Sequence, residues 1–242
     1  MTPLTGPRIR VYTADIAPLR EKGLFARAYS AVSPRRREKT DRLRFESDKC
    51  LSLGAELLLM RACRDLGIAY EAETVTESTY KKPAFASGRV AFNLSHSGTK
   101  VLCAAADVPV GCDTERIGDA DPQIAERFFF KDERLALSAA ASEAERRALF
   151  YRLWTLKESF MKCTGLGFYL PLDSFCVLTD GPSVTVRQQV DGACYRFFER
   201  HPGDGYAYAV CVRLPDEHAP CPAPVWEQAV LSEALPADTA EK

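Results

Sequence analysis

The spacing of apolar positions changes several times along the chain, and each change marks a new element. Residues 8–13 alternate polar and apolar like a short strand. Residues 33–67 read as helix, with Leu51, Leu53, Leu57, Leu58 and Met60 dense enough for a core-facing stripe and Gly67 placed to cap it. Around Tyr80 the chain turns extended, because Pro83 disfavours helix in the residue before it. Strands are predicted at 89–94, 101–106 and 108–115, the first two joined by a turn at 95–100. Helix returns after Pro122, at 126–130, 132–139 and a long run at 142–164 that Gly165 ends. Four more strands are predicted at 175–178, 183–188, 194–198 and 206–213.

Helices followed by strands, twice over, predict an α+β fold in two halves rather than alternating βαβ units. The halves are placed at 1–112 and 113–216, and no fixed-period repeat relates them. The proline- and alanine-rich segment 217–242 is expected to be a peripheral tail.

Composition narrows the function. A 242-residue chain with 46% hydrophobic and 27% charged residues is an ordinary globular protein. A formal net charge of -1 gives no electrostatic support for nucleic-acid binding. No stretch approaches the ~18 apolar residues of a membrane span, and the N-terminus lacks the apolar core of a secretion signal, so the expected location is the cytoplasm, with no membrane partner. Nine cysteines, odd in number and without a C-x-x-C pair, argue against a disulfide framework or a zinc site, and His96, His201 and His218 have no metal-ligand spacing.

Two stretches carry chemistry. In VGCDTERI, residues 110–117, Asp113 and Glu115 stand two apart on a predicted strand and so share a face. Either both are solvated at a strand end, or a hard divalent cation sits between them. In LWTLKESFMK, residues 153–162, Trp154, Glu158 and Lys162 recur every four residues along one helix face, beside Lys157 and Met161. Taken alone, Glu158 and Lys162 could be a surface ion pair.

Together the stretches resemble the paired signature of 4'-phosphopantetheinyl transferases of the Sfp-like type that activates peptide and polyketide synthases. That signature, G-x-D-x-E followed by W-x-x-K-E-S/A-x-x-K, is met by Gly111, Asp113, Glu115, Trp154, Lys157, Glu158, Ser159 and Lys162. Lys82-Pro83, FNLSHS at 92–97, RFF at 127–129 and LPLDSF at 170–175 are also similar to the family, so the resemblance covers roughly residues 33–212. It implies a monomer of two similar α+β halves related by a pseudo-twofold, with coenzyme A in the cleft between them. It also implies transfer of the phosphopantetheine arm of coenzyme A to a serine hydroxyl of an acyl or peptidyl carrier protein, releasing 3',5'-ADP.

The resemblance further implies that Asp113, Glu115 and Glu158 hold Mg2+ on the pyrophosphate of coenzyme A. Glu158 is expected to be the base for the serine proton, and Lys162 and Lys157 to bind phosphate oxygens. The basic stretch 33–49 has an S-P-x-[KR]-x-x-K context that assigns Arg36 and Lys39 to the 3'-phosphate of coenzyme A. Lys82 is expected at the adenylate end, His96 at the nucleotide phosphates, and Ser95 and Ser52 as weaker ligands, with 95–97 offering donors from a turn. Thr114 stands where relatives commonly carry an apolar residue, and Lys81 where glycine is frequent. Two rival readings remain: a Mg2+-dependent phosphohydrolase, and a non-catalytic module that binds coenzyme A or a carrier protein.

Overall fold

The computed structural model describes residues 6–119 and 122–235. In chain order the elements are β1 (Ile9–Asp15), α1 (Lys22–Ala31), α2 (Pro34–Asp41), α3 (Glu46–Asp65), β2 (Val75–Glu77), β3 (Pro83–Phe85), β4 (Ala91–Ser97), β5 (Lys100–Ala106) and β6 (Val110–Arg116). There follow α4 (Pro122–Phe128), α5 (Lys131–Ser138), α6 (Glu143–Thr164), β7 (Cys176–Leu178), β8 (Thr185–Arg187), β9 (Cys194–Arg200), β10 (Tyr206–Leu214), β11 (Val225–Gln228) and α7 (Leu231–Ala234).

The two long helices form where the apolar pattern places them. In α3 the residues from Cys50 to Met60 are buried without a break, and Glu46 and Asp48 sit in its first turn, where the helix dipole favours acids. Its end is a Schellman turn: Ile68 N–H donates to Cys63 O at 2.8 Å and Gly67 N–H to Arg64 O at 3.0 Å, with Gly67 left-handed at φ 73. Helix α6 starts at Ser142, whose side chain accepts from Glu145 N, and stops at the left-handed Gly165.

Two sheets lie back to back between these helices. The first has the order β11-β1-β5-β4, the second β6-β10-β9. Alternation along the strands turns Tyr12, Ala14, Val101 and Cys103 toward α3, and Ile9, Val11, Leu102 and Ala104 toward the second sheet. Val110, Cys112, Val210 and Val212 meet them from that sheet, while Ala209 and Cys211 on its other face pack with Leu156 and Phe160 of α6. The result is four layers, helix–sheet–sheet–helix, with α3 outside the first sheet and α6 outside the second.

Several expectations change. The helical run 33–67 divides at residues 42–45: α2 has the sequence PRRREKTD with no apolar stripe to carry it on, and buried Thr40 pairs with Ser52 of α3 at 3.0 Å. Ser95, His96 and Ser97 belong to β4 rather than to a turn, because the β4–β5 register runs to Ser97↔Lys100 and leaves only Gly98 and Thr99 in the loop. The boundary placed at 112 falls inside β6, which pairs with β10 along its whole length from Val110. The segment after 217 is not peripheral in its described part. Val225–Gln228 pairs in parallel with β1, and Leu231, Ala234 and Leu235 join the core around α3. Its Pro/Ala-rich composition hid a short apolar set. Residues 236–242 of that tail lie outside the described residues.

Candidate active site

Gly111 sets the geometry. Strand β6 runs so close to α6 that a Cβ at Gly111 would collide with the backbone of Ser159 and Cys163. Asp113 and Glu115 continue the Gly111 face of the strand and are therefore brought up to Glu158 and Lys162 of α6.

Asp113 is 2% exposed. Its Oδ1 accepts from Lys162 Nζ at 2.6 Å and from Ser95 Oγ at 2.8 Å, whereas Oδ2 is buried with no partner. Glu115 is half-buried and accepts from Ser97 Oγ at 2.7 Å. Burial, and then the charge of Asp113, push the Glu115 carboxyl above its ordinary value. Glu158 is pushed up to about 7, by burial first and by Asp113 and Glu115 next, against the opposing pull of Lys162.

Asp113, with a buried oxygen lacking any donor, stands beside two carboxyls that are raised by burial and by its charge, a donor set suited to a hard cation. Among the described residues no three of His, Cys, Asp or Glu converge tightly enough to enclose a metal ion by themselves. A cation here would therefore draw further oxygens from phosphate or water, as Mg2+ usually does.

Cations face these acids. Burial is the largest single influence on the Lys162 ammonium and lowers it, but the charge and hydrogen bond of Asp113, joined by Glu158, together raise it above its usual range. His96, exposed near the end of β4, is held below its ordinary value by its crowded setting and then by the charges of Lys39 and Lys162. Lys39, exposed on α2, is lowered by crowding and by Arg36 and Arg35. This concentration of positive charge suits an anionic ligand such as a phosphate.

Other expected site residues are engaged elsewhere. Lys157 is 0% exposed and points away from the acids; its Nζ donates to Glu133 Oε1 at 2.8 Å and to Phe175 O at 2.9 Å, over the Phe175 ring. A side chain so enclosed cannot reach a phosphate, which corrects its expected role. Arg36 Nε donates to Glu56 Oε2 at 2.6 Å, with both side chains nearly buried, so this guanidinium braces α2 on α3. Lys82 Nζ donates to Val110 O at 2.9 Å and Lys162 O at 2.6 Å, tying the turn before β3 to the end of α6. Ser95 is bound to Asp113, and Ser52 to Thr40. Lys81 takes a left-handed φ of 62, so the turn keeps a conformation that glycine adopts more readily.

Sequence reading missed Glu133, the partner of Lys157, and the roles of Asn93 and Ser97 in the site. The polar residues at every second position of FNLSHS were the available signal for Asn93 and Ser97.

A family model described as the 4'-phosphopantetheinyl transferase superfamily matches residues 109–211. The chain is 37% identical over 196 residues to the 4'-phosphopantetheinyl transferase Sfp of Bacillus subtilis (strain 168), covering 78% of this chain and 86% of that one. It is 34% identical over 165 residues to the 4'-phosphopantetheinyl transferase gsp of Aneurinibacillus migulanus, covering 68% and 69%. Among solved structures it is similar to the holo-[acyl-carrier-protein] synthase of Thermotoga maritima, at 21% identity and a TM-score of 0.39, over 44% of this chain and 63% of that one.

Proposed function

The chain belongs to the 4'-phosphopantetheinyl transferase superfamily and transfers phosphopantetheine to carrier proteins, and we propose that Asp113, Glu115, Glu158 and Lys162 perform that transfer from coenzyme A. The observation that carries the reading is the unpartnered Oδ2 of Asp113, buried in a group of acids where Glu158 is pushed up to about 7.

Asp113, Glu115 and Glu158 are the residues that would hold Mg2+. When bound, it neutralises charge on the pyrophosphate of coenzyme A. Lys162, already on Asp113 and Ser95, presents its remaining N–H to phosphate oxygens. Lys39 supplies positive charge and His96 a neutral imidazole with one N–H donor for the nucleotide phosphates, and Arg36, anchored on Glu56, supports the helix that carries Lys39. The carrier serine oxygen forms a new bond to the β-phosphorus as the bond to the departing 3',5'-ADP breaks. Glu158 takes the serine proton as general base. The rival phosphohydrolase and binding-module readings lack the support that the transferase relatives give this one.

Nine free cysteines favour a reducing compartment, so we place the enzyme in the cytoplasm, as a monomer whose two halves flank the site. No described helix is long and apolar enough to cross a membrane.

The test is intact mass spectrometry of apo acyl and peptidyl carrier proteins incubated with enzyme, coenzyme A and Mg2+. A gain of about 340 Da, the phosphopantetheine arm, that needs Mg2+ and is lost with Glu158→Gln is the expected outcome. A gain that persists in the variant, or without any divalent metal, would remove the roles given to these acids.

A further inference from the structure

Strand β6 offers one edge to β10; its other edge faces β4, yet the two strands belong to different sheets. The N–H groups on that second edge still need acceptors once buried. Side chains supply them. Cys112 N–H donates to Asn93 Oδ1 at 2.9 Å, Thr114 N–H to Ser95 Oγ at 3.4 Å, and Arg116 N–H to Ser97 Oγ at 3.0 Å. The partners advance two residues at a time on both strands, so every second residue of β4 meets every second amide of β6.

A hydroxyl has one proton to give. Ser97 Oγ accepts from Arg116 N, and its proton goes to Glu115 Oε2 at 2.7 Å. Ser95 Oγ accepts from Thr114 N and from Lys162 Nζ at 3.3 Å, and its proton goes to Asp113 Oδ1 at 2.8 Å. The bonds that join the strands thus also fix the direction in which each hydroxyl points. Ser95 shares its carboxylate with Lys162, whereas Glu115 is held by Ser97.

We infer that Asn93, Ser95 and Ser97 form a side-chain zipper joining the two halves of the enzyme, and that Ser97 is a positioning residue that holds Glu115 in the orientation the site requires. Ser97 therefore contacts the acid rather than the phosphate. This rests on the proposed role of Glu115 toward a divalent cation. The zipper explains why polar residues recur at alternate positions of FNLSHS: a backbone ladder would have left these side chains free, whereas a side-chain joint needs each of them.

Calorimetric titration of Mn2+ into the full-length enzyme with coenzyme A present tests the inference without reading activity. Ser97→Val removes the hydroxyl while keeping the shape of Ser97→Thr, so the difference between these variants isolates the hydrogen bond, with circular dichroism checking that both fold. Outer-shell partners of metal ligands typically affect affinity by about 10–100-fold. The expected result is Mn2+ affinity about tenfold weaker in Ser97→Val, near wild type in Ser97→Thr, and no further loss from Ser97→Val in a Glu115→Gln background. Equal affinity in the Val and Thr variants would overturn the positioning role of Ser97 while leaving Glu115 a ligand. Wild-type affinity unchanged by Glu115→Gln would overturn both.

Discussion

Thr114 shows what a single side chain contributes against its surroundings. It is fully buried between the two acids in sequence, but alternation turns it to the opposite face of β6, with Val110 and Cys112, opposite Tyr208. Its Oγ1 has no partner there. A buried hydroxyl left unpaired costs about 1–3 kcal/mol, and valine has nearly the same shape. Thr114→Val is therefore expected to stabilise the fold by about 1 kcal/mol in a urea titration, with transfer activity unchanged because the hydroxyl faces away from Asp113. A destabilised variant would show that the hydroxyl has an acceptor. At this scale the sequence was legible wherever spacing alone fixes the face: Asp113 with Glu115, and Glu158 with Lys162, stand together as the periods of 2 and 3.6 require. Lys157 was not legible. A helix turns about 100° per residue, and the choice of side for Lys157 depends on Glu133, 24 positions earlier.

That pair is an element-scale device. Glu133 Oε1 accepts from Lys157 and from Val177 N at 2.7 Å, and Oε2 accepts from Phe130 N at 2.8 Å at the start of α5. Lys157 adds Phe175 O just before β7, so one buried ion pair fastens α5, α6 and β7 together with its hydrogen bonds satisfied. Burial lowers the Lys157 ammonium even with Glu133 beside it. Removing one member leaves an uncompensated buried charge, which costs about 3–5 kcal/mol. Lys157→Met is expected to lose stability on that order in chemical denaturation while the folded fraction, assayed in the cold, keeps transfer activity within several-fold. Lost activity at unchanged stability would return Lys157 to the chemistry. The same scale explains where element prediction failed. The α2–α3 break and the strand near the C-terminus depend on Thr40 meeting Ser52 and Val225–Gln228 meeting β1, contacts between segments that no local periodicity records.

For the whole molecule, the site conflicts with the fold that carries it. The structure draws Asp113 and Glu115 of β6 and Glu158 of α6 together within one layer pair, and the proton affinity of Glu158 measures the conflict. Its carboxyl titrates near 7 in the folded protein against 4.5 when unperturbed. Between those values the folded chain binds more protons than the unfolded one, so stability is greatest below pH 4.5 for this group and declines as pH rises to 7. Allowing for partial solvent screening, the loss is about 2 kcal/mol by pH 8. Glu158→Gln cannot ionise, so it should unfold like wild type near pH 4.5 and be about 2 kcal/mol more stable at pH 8, measured without added metal, while transferring no phosphopantetheine. Under the proposed function coenzyme A with Mg2+ would supply the missing compensation, and a ligand that binds only the folded state raises its stability by mass action. The wild type should then gain more in melting temperature from the two together than the variant does. If Glu158→Gln is instead less stable than wild type at pH 8, the attraction of Lys162 outweighs the crowding, and the group is a structural ion pair rather than an acid held ready for a cation and a proton.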